Sequence, residues 1–64
     1  MSDRAQRVLD ALMDYDADNN YKYPMTSIYY FFKDGMVGKV YKDYEALTAD
    51  EEKQVIQAFL EFAC

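Results

Sequence analysis

Hydrophobic residues recur with a helical period at both ends of the chain. Over residues 3–15 the apolar side chains fall on one arc of a helix and most acidic side chains fall on the opposite arc. Ser2 or Asp3 can act as the N-cap of this helix. Residues 16–20 are rich in Asp and Asn, which tolerate left-handed backbone geometry, so the pattern predicts that the helix ends there.

The second helical pattern covers residues 49–63. The sequence from Thr48 to Glu51 has the form of a capping box, in which the Thr48 hydroxyl accepts from the Glu51 amide and the Glu51 carboxylate accepts from the Thr48 amide. Acidic residues fill the first turn, where the helix dipole favours negative charge. The apolar face takes up about half of the circumference, which predicts a helix that is central to the core or meets a partner along one edge.

The middle of the chain, residues 21–47, admits two interpretations, of which the first is a β-hairpin. Residues 28–32 are β-branched and aromatic, which favours a strand. Asp34-Gly35 follows, and this dipeptide is typical of a two-residue hairpin turn. A hairpin at this turn would place three pairs opposite each other: Phe32 with Val37, Tyr30 with Lys39, and Ile28 with Tyr41.

The second interpretation is helical, because apolar residues between Met36 and Leu47 also follow a helical spacing. Gly38 lies within that stretch and would weaken a helix by ~1 kcal/mol. We favour the hairpin, so the sequence predicts an α+β fold in which one antiparallel hairpin packs on two helices in the order α-β-β-α. The alternative is an all-α fold of three to four short helices. The length suits one domain, and we expect residues 1–64 to form a single compact domain.

Charge and size bound the kinds of partner. Twelve Asp and Glu against seven Lys and Arg give a net charge of −5, which argues against direct nucleic-acid binding and against an anionic membrane surface. It favours a protein partner with a basic surface. Small domains often gain stability from disulfides, a metal or a second copy. The one cysteine, Cys64, allows no intramolecular disulfide. Of the other two sources of stability, a second copy of the chain is the one we keep open, as a homodimer.

The residue types needed for catalysis or metal binding are scarce. Residues 14–20 resemble the start of an EF-hand loop, but Asn19 and Met25 stand where that motif needs glycine and glutamate, so we expect no metal site. Without histidine no nucleophile–base pair suggests itself, and we expect no cofactor and no enzymatic activity. No apolar run reaches the ~20 residues of a membrane span. These features and the low cysteine content predict a cytoplasmic protein.

Aromatic and acidic residues are the candidates for binding a partner. A hairpin would carry aromatics on both faces, and a domain this small rarely buries both, so one face would mark an interface. The acidic residues of the first helix either form a solvated surface or imitate the spaced phosphates of a nucleic acid. We expect nine residues to contact a partner: Asp10, Asp14, Asp16, Asp18, Tyr29, Phe31, Tyr41, Tyr44 and Phe62.

Small, acidic, tyrosine-rich chains without histidine resemble the accessory inhibitors that phages and mobile elements encode to evade host defence or block host enzymes. The resemblance is one of composition and extends to no motif. The leading hypothesis is a non-catalytic inhibitor or adaptor that binds a protein. The alternative is a self-assembling structural or regulatory subunit that uses its aromatic face as a homodimer interface.

Overall fold

Helices account for nearly all of the ordered backbone. The computed structural model describes residues 1–63, so Cys64 lies outside the described residues. The elements in chain order are α1 (Asp3–Asn19), α2 (Pro24–Tyr30), a π-helical turn (Phe31–Gly35), α3 (Lys39–Glu45) and α4 (Ala49–Ala63). None of the helices within residues 1–63 is long and apolar enough to cross a membrane.

Capping groups set both ends of α1, and the C-terminal end lies beyond the predicted limit at Tyr15. The Ser2 hydroxyl accepts a hydrogen bond from the Ala5 amide at 3.2 Å, which satisfies one of the unpaired donors of the first turn. At the other end Asn20 adopts a left-handed conformation, and its amide donates to the Asp16 carbonyl at 2.7 Å. The helix therefore continues past Tyr15 and uses most of the Asp- and Asn-rich segment before it ends.

The predicted capping box of α4 is confirmed. The Thr48 amide donates to Glu51 Oε1 at 2.9 Å, and the Glu51 amide donates to Thr48 Oγ1 at 3.2 Å. The same Glu51 oxygen accepts from Arg4 Nη2 at 3.1 Å. Since Arg4 lies in the first turn of α1 and Glu51 in the first turn of α4, this ion pair holds the two N-terminal ends together.

The predicted hairpin is wrong, and the all-α alternative fits the structure. No strand occurs within residues 1–63. The run Ile28–Phe32 is helical because Pro24 occupies the first turn of α2, where its fixed φ favours a helix. Phe31 packs in the core, with its ring centroid 5.8 Å from that of Tyr15, and such tertiary packing overrides the strand preference of the run.

The Asp34-Gly35 dipeptide ends the π-helical turn rather than forming a hairpin turn. A Cβ atom on Gly35 would lie 2.7 Å from Phe31 Cδ1 and 2.9 Å from Tyr15 Cδ1. Glycine is therefore required here because two aromatic rings approach the backbone closely.

The three strand pairs expected from the hairpin do not form, since their C-terminal members lie in the connection to α3 or in α3 itself.

The core lies where α1 meets the other elements. α1 packs against α4, α3, α2 and the π-helical turn, so α1 rather than α4 is the central helix. The buried hydrophobic residues are Ala5, Val8, Leu9, Leu12, Phe31, Val55 and Phe59. α4 supplies only two of them and leaves Ile56 and Leu60 exposed along one edge. The wide apolar face that the sequence shows for α4 is thus only partly used by the fold.

The capping box should make stability depend on acid pH. Hydrogen bonds from the Ser2 hydroxyl, the Thr48 amide and the Arg4 guanidinium lower the pKa of Glu51 from 4.5 to about 2. A carboxyl with a lowered folded-state pKa stabilises the fold above its unfolded pKa, and this stability is lost as the pH falls through the folded value. We expect Glu51→Gln to flatten the decline of the urea midpoint between about pH 4.5 and about pH 2.

The neighbouring substitution Asp50→Asn provides the matched control, since it removes one exposed carboxyl from the same turn and leaves the capping box intact. Urea titrations followed by circular dichroism at several pH values measure both variants. An unchanged acid slope in the Glu51→Gln protein would show that the box does not form in solution.

Candidate protein-binding surface

α2 presents two of its apolar side chains outward, whereas Ile28 packs against the core. The one residue of α2 that is fully buried is Ser27, whose hydroxyl donates to the Asp16 carboxylate of α1. Met25 and Tyr29 face solvent instead, with 79% and 60% of their surface exposed. A surface helix of a globular domain ordinarily buries its apolar stripe and exposes its polar residues. The contact of α2 with α1 is therefore partly polar, and its free surface is apolar.

Four exposed apolar residues lie on or directly beside α2, and we call them the aromatic face: Tyr23, Met25, Tyr29 and Phe32. Two lysines accompany it: Lys22 Nζ lies 5.4 Å from the ring centroid of Tyr23, and Lys33 Nζ lies 6.0 Å from that of Tyr29. Such cation–π contacts at exposed sites contribute about 0.5–1 kcal/mol. The aromatic face therefore carries no acidic residue of its own and has basic side chains near two rings.

A groove adjoins the aromatic face and shares Phe32 with it. Its volume is about 50 Å³, and it opens between the π-helical turn, the α3–α4 region and α1. The residues that line it are Val8, Leu12, Ile28, Phe31, Phe32, Met36, Tyr44, Leu47, Glu52, Val55 and Ile56. Among these lining residues Glu52 alone is charged, so the groove is an apolar surface with one carboxylate.

Tyr44 and Glu52 form the polar part of the groove. The Tyr44 hydroxyl donates to Glu52 Oε2 at 2.9 Å, and the Phe32 ring packs edge-on against Tyr44 with centroids 5.0 Å apart. Burial and then this hydrogen bond raise the pKa of Tyr44. The phenol therefore stays protonated at neutral pH and holds the carboxylate of Glu52 in a fixed direction beside the apolar walls.

The acidic residues predicted to contact a partner divide into two groups. Asp10, Asp14 and Asp18 are exposed along the outer side of α1, one helical turn apart, and Asp10 also accepts a hydrogen bond from Gln6 at 2.9 Å. Asp16 faces the other way and is engaged by Ser27. Its carboxylate thus has a role in joining α1 to α2, and the outer acidic stripe consists of the other three.

The aromatic residues predicted to contact a partner are dispersed over the fold. Tyr29, Tyr41 and Phe62 are exposed, but they lie on α2, α3 and α4 respectively. Tyr44 is half-buried in the groove wall, and Phe31 is only 4% exposed within the core. The structure brings Tyr44 close to Phe32. Phe31 lies in the core, and part of it lines the groove.

Sequence reasoning missed several residues of this surface, namely Tyr23, Met25, Phe32, Glu52, Ile56 and Leu60. A signal for part of the set was present, since Met25, Tyr29 and Phe32 are spaced i, i+4 and i+7, which places them on one side of a helix. The hairpin interpretation obscured it, because in a strand Tyr29 and Phe32 would point to opposite faces.

The described part of the chain holds no group of three or more Cys, Asp or Glu side chains arranged to bind a metal ion. The fold and surface define a small all-helical domain with an exposed aromatic face beside an apolar groove. Comparison with known protein families, with curated proteins and with solved structures finds no match to this chain.

Proposed function

We propose that this protein is a non-catalytic, acidic protein-binding module of the cytoplasm that acts as an inhibitor or adaptor. The observation that carries the proposal is the orientation of α2, which buries Ser27 and exposes Met25 and Tyr29. Met25, Tyr29 and Phe32 follow a helical spacing on one side, and exposed apolar residues grouped in this way mark an interaction site. Tyrosine and methionine are also enriched in the cores of protein interfaces.

The shifted ionisable groups support a function without catalysis. A general acid or base works best when its pKa lies near the operating pH. The groups with shifted pKa values all move away from neutrality: those of Arg7, Tyr15 and Tyr44 are raised, and those of Asp43 and Glu51 are lowered. For Tyr15 a hydrogen bond with Tyr21 and burial raise the pKa to about 12. None of these groups is therefore poised to transfer protons at pH 7.

The excess of acidic residues supports a basic partner, and the two ion pairs within the fold leave that excess unchanged. Arg4 bonds Glu51, and Arg7 forms a two-pronged pair with Asp43 at 2.8 and 2.9 Å. Both arginines of the chain are thereby neutralised within the fold. The charged side chains outside these pairs are ten carboxylates and five lysines. This excess of negative charge steers association toward a positively charged surface.

The compositional resemblance to phage and mobile-element inhibitors favours a host enzyme or defence protein as the target. If that target binds nucleic acid, the acidic stripe of Asp10, Asp14 and Asp18 supplies repeated negative charges that imitate phosphates. The competing function is a homodimer that pairs the aromatic faces of two copies. Pairing two chains that each carry −5 is opposed by charge repulsion, which is why we place a protein partner first.

Substitution of the aromatic face tests the proposal. After affinity capture of a partner from the cells that produce this protein, we expect Tyr29→Ala to raise the dissociation constant about 30-fold, because a hot-spot aromatic contributes about 2 kcal/mol. Calorimetry with the purified partner measures the change.

Tyr41→Ala is the matched control, since Tyr41 is also an exposed tyrosine but lies on α3 and outside the aromatic face. The dissociation constant of the Tyr41→Ala protein for the partner should differ from that of the unaltered chain by less than about threefold, which corresponds to less than about 0.7 kcal/mol. A partner that binds the Tyr29→Ala protein as tightly as the unaltered chain would contradict the proposal. A chain that forms a stable dimer lost in Tyr29→Ala would favour the homodimer instead.

A further inference from the structure

We propose that the groove receives one aliphatic side chain from a helix of the partner protein, and that Glu52 pairs with a lysine or arginine near that side chain. The inference rests on the proposed protein-binding function and specifies the partner's docking element. Four features carry it: the volume of the groove, the spacing of the exposed residues on α4, the single carboxylate in the lining and the net charge.

The volume of the groove limits its occupant to part of one side chain. At about 50 Å³ it is about a third of the ~150 Å³ cavity that accommodates benzene in an engineered protein. Pockets for small molecules typically measure about 300–1,000 Å³. The end of a leucine, isoleucine or methionine side chain fits this space, and the backbone of that residue stays outside.

The exposed edge of α4 indicates that the occupant belongs to a helix. Ile56 lines the groove, and Leu60 lies one helical turn further along α4; both are exposed. Rows of residues spaced i, i+4 on one helix pack against similar rows on another. An amphipathic helix that lays its apolar face into a hydrophobic groove is an established mode of recognition, and its apolar anchors recur at i and i+4. A partner helix along α4 would place one residue in the groove and the next apolar residue, one turn away, against Leu60.

Glu52 and the net charge indicate that the helix is basic. The carboxylate of Glu52 lies among ten other lining residues that carry no charge, and the Tyr44 hydroxyl fixes its direction. A charged group that loses water when an apolar surface covers it needs an opposite charge close by. A second copy of this chain would bring another −5 to the interface, whereas a helix with lysine or arginine beside its aliphatic anchor compensates Glu52.

A synthetic helical peptide tests this inference on the full chain. The probe is a peptide of leucine and lysine, about 14 residues or four turns long, with leucines at i, i+4 spacing. Amide and methyl chemical shifts measured by NMR should saturate during titration and change most at Phe32, Leu47 and Ile56. A peptide with serine in place of leucine should bind about tenfold more weakly, and so should one with glutamate in place of lysine.

Variants of the protein separate the two contacts. Ile56→Ser and Glu52→Gln should each weaken peptide binding about fivefold, which corresponds to about 1 kcal/mol. Ile56 has 37% of its surface exposed and forms part of the groove wall, so circular dichroism must first show that the Ile56→Ser protein keeps its helices; Glu52→Gln tests the inference in either case. Gln57→Ser is the control on the same helix, since Gln57 is exposed and does not line the groove, and it should bind as the unaltered chain does.

Three results would overturn the inference. Equal binding of the serine peptide would show attraction by charge alone. Shift changes confined to the outer side of α1 would place the peptide on the acidic stripe. Groove shifts that follow protein concentration without peptide would show that a second copy occupies the groove. If a captured partner depends on Tyr29 but the peptide does not bind, the proposed protein-binding surface stands and the helix inference fails. If the peptide binds specifically in the groove but the captured partner is insensitive to Tyr29, the groove inference stands and the role proposed for the aromatic face fails.

Discussion

Phe59→Ala is expected to leave this protein largely unfolded at 25 °C. Phe59 is the largest fully buried side chain, and it fixes α4 in the core formed with α1. Truncating a buried phenylalanine costs about 3–5 kcal/mol, which is as much as a domain of this size usually has in total. Circular dichroism should show loss of most helical signal, and the urea transition should move to zero or near zero denaturant.

The chain supplies a matched control for this substitution. Phe62 lies in the last turn of the same helix and is half exposed, with its ring centroid 6.5 Å from that of Phe59. Phe62→Ala should cost less than about 1 kcal/mol, because most surface substitutions have small effects. Similar losses of unfolding free energy in the Phe59→Ala and Phe62→Ala proteins would mean that α4 packs against the core through a different face.

The parts of the fold that the sequence predicted correctly are those fixed by local signals. The Ser2 cap, the Thr48–Glu51 box and the apolar period of α4 each depend on residues within one or two turns of each other. A pattern of this kind is complete within the segment that it describes. Helix ends and helix faces could therefore be assigned at both termini of the chain without knowledge of the packing.

The middle of the chain was predicted wrongly because its conformation depends on distant contacts. Phe31 and Gly35 pack against Tyr15, which lies in α1 and is far from them in sequence. These contacts draw the β-branched and aromatic run into a helix and a π-helical turn. The Asp-Gly dipeptide is a strong local signal for a hairpin, but local preference is readily overridden by tertiary packing.

The candidate site was only partly predictable for the same reason. The exposure of Asp10, Asp14 and Asp18 follows from the amphipathic pattern of α1 alone. Which side of α2 meets α1, however, is set by the bond between Ser27 and Asp16, and no pattern within α2 reveals it. The groove needs side chains from α1, the π-helical turn, α3 and α4, so it exists only once all of them are assembled.

Gly38 provides a second large effect, because its backbone conformation determines where α3 begins. The residue has φ 58° and ψ −123°, a combination that L-residues rarely adopt. Gly38→Ala should therefore destabilise the protein by about 1–3 kcal/mol. A Cβ added there would meet no described atom within 4 Å, so the loss would report backbone strain and not a steric clash.

D-Alanine at position 38 separates strain from every other effect of an added methyl group. The mirror image of the Gly38 conformation lies in the extended region that L-residues favour, so a D-residue adopts the observed angles without strain. Fewer conformations in the unfolded chain should then stabilise the fold by about 0.4–1 kcal/mol. A chain of this length can be made by chemical synthesis, and urea transitions of the glycine, L-alanine and D-alanine proteins give the comparison. Equal midpoints for the two alanine proteins would show that residue 38 is not held at positive φ, since a residue held there favours D-alanine over L-alanine.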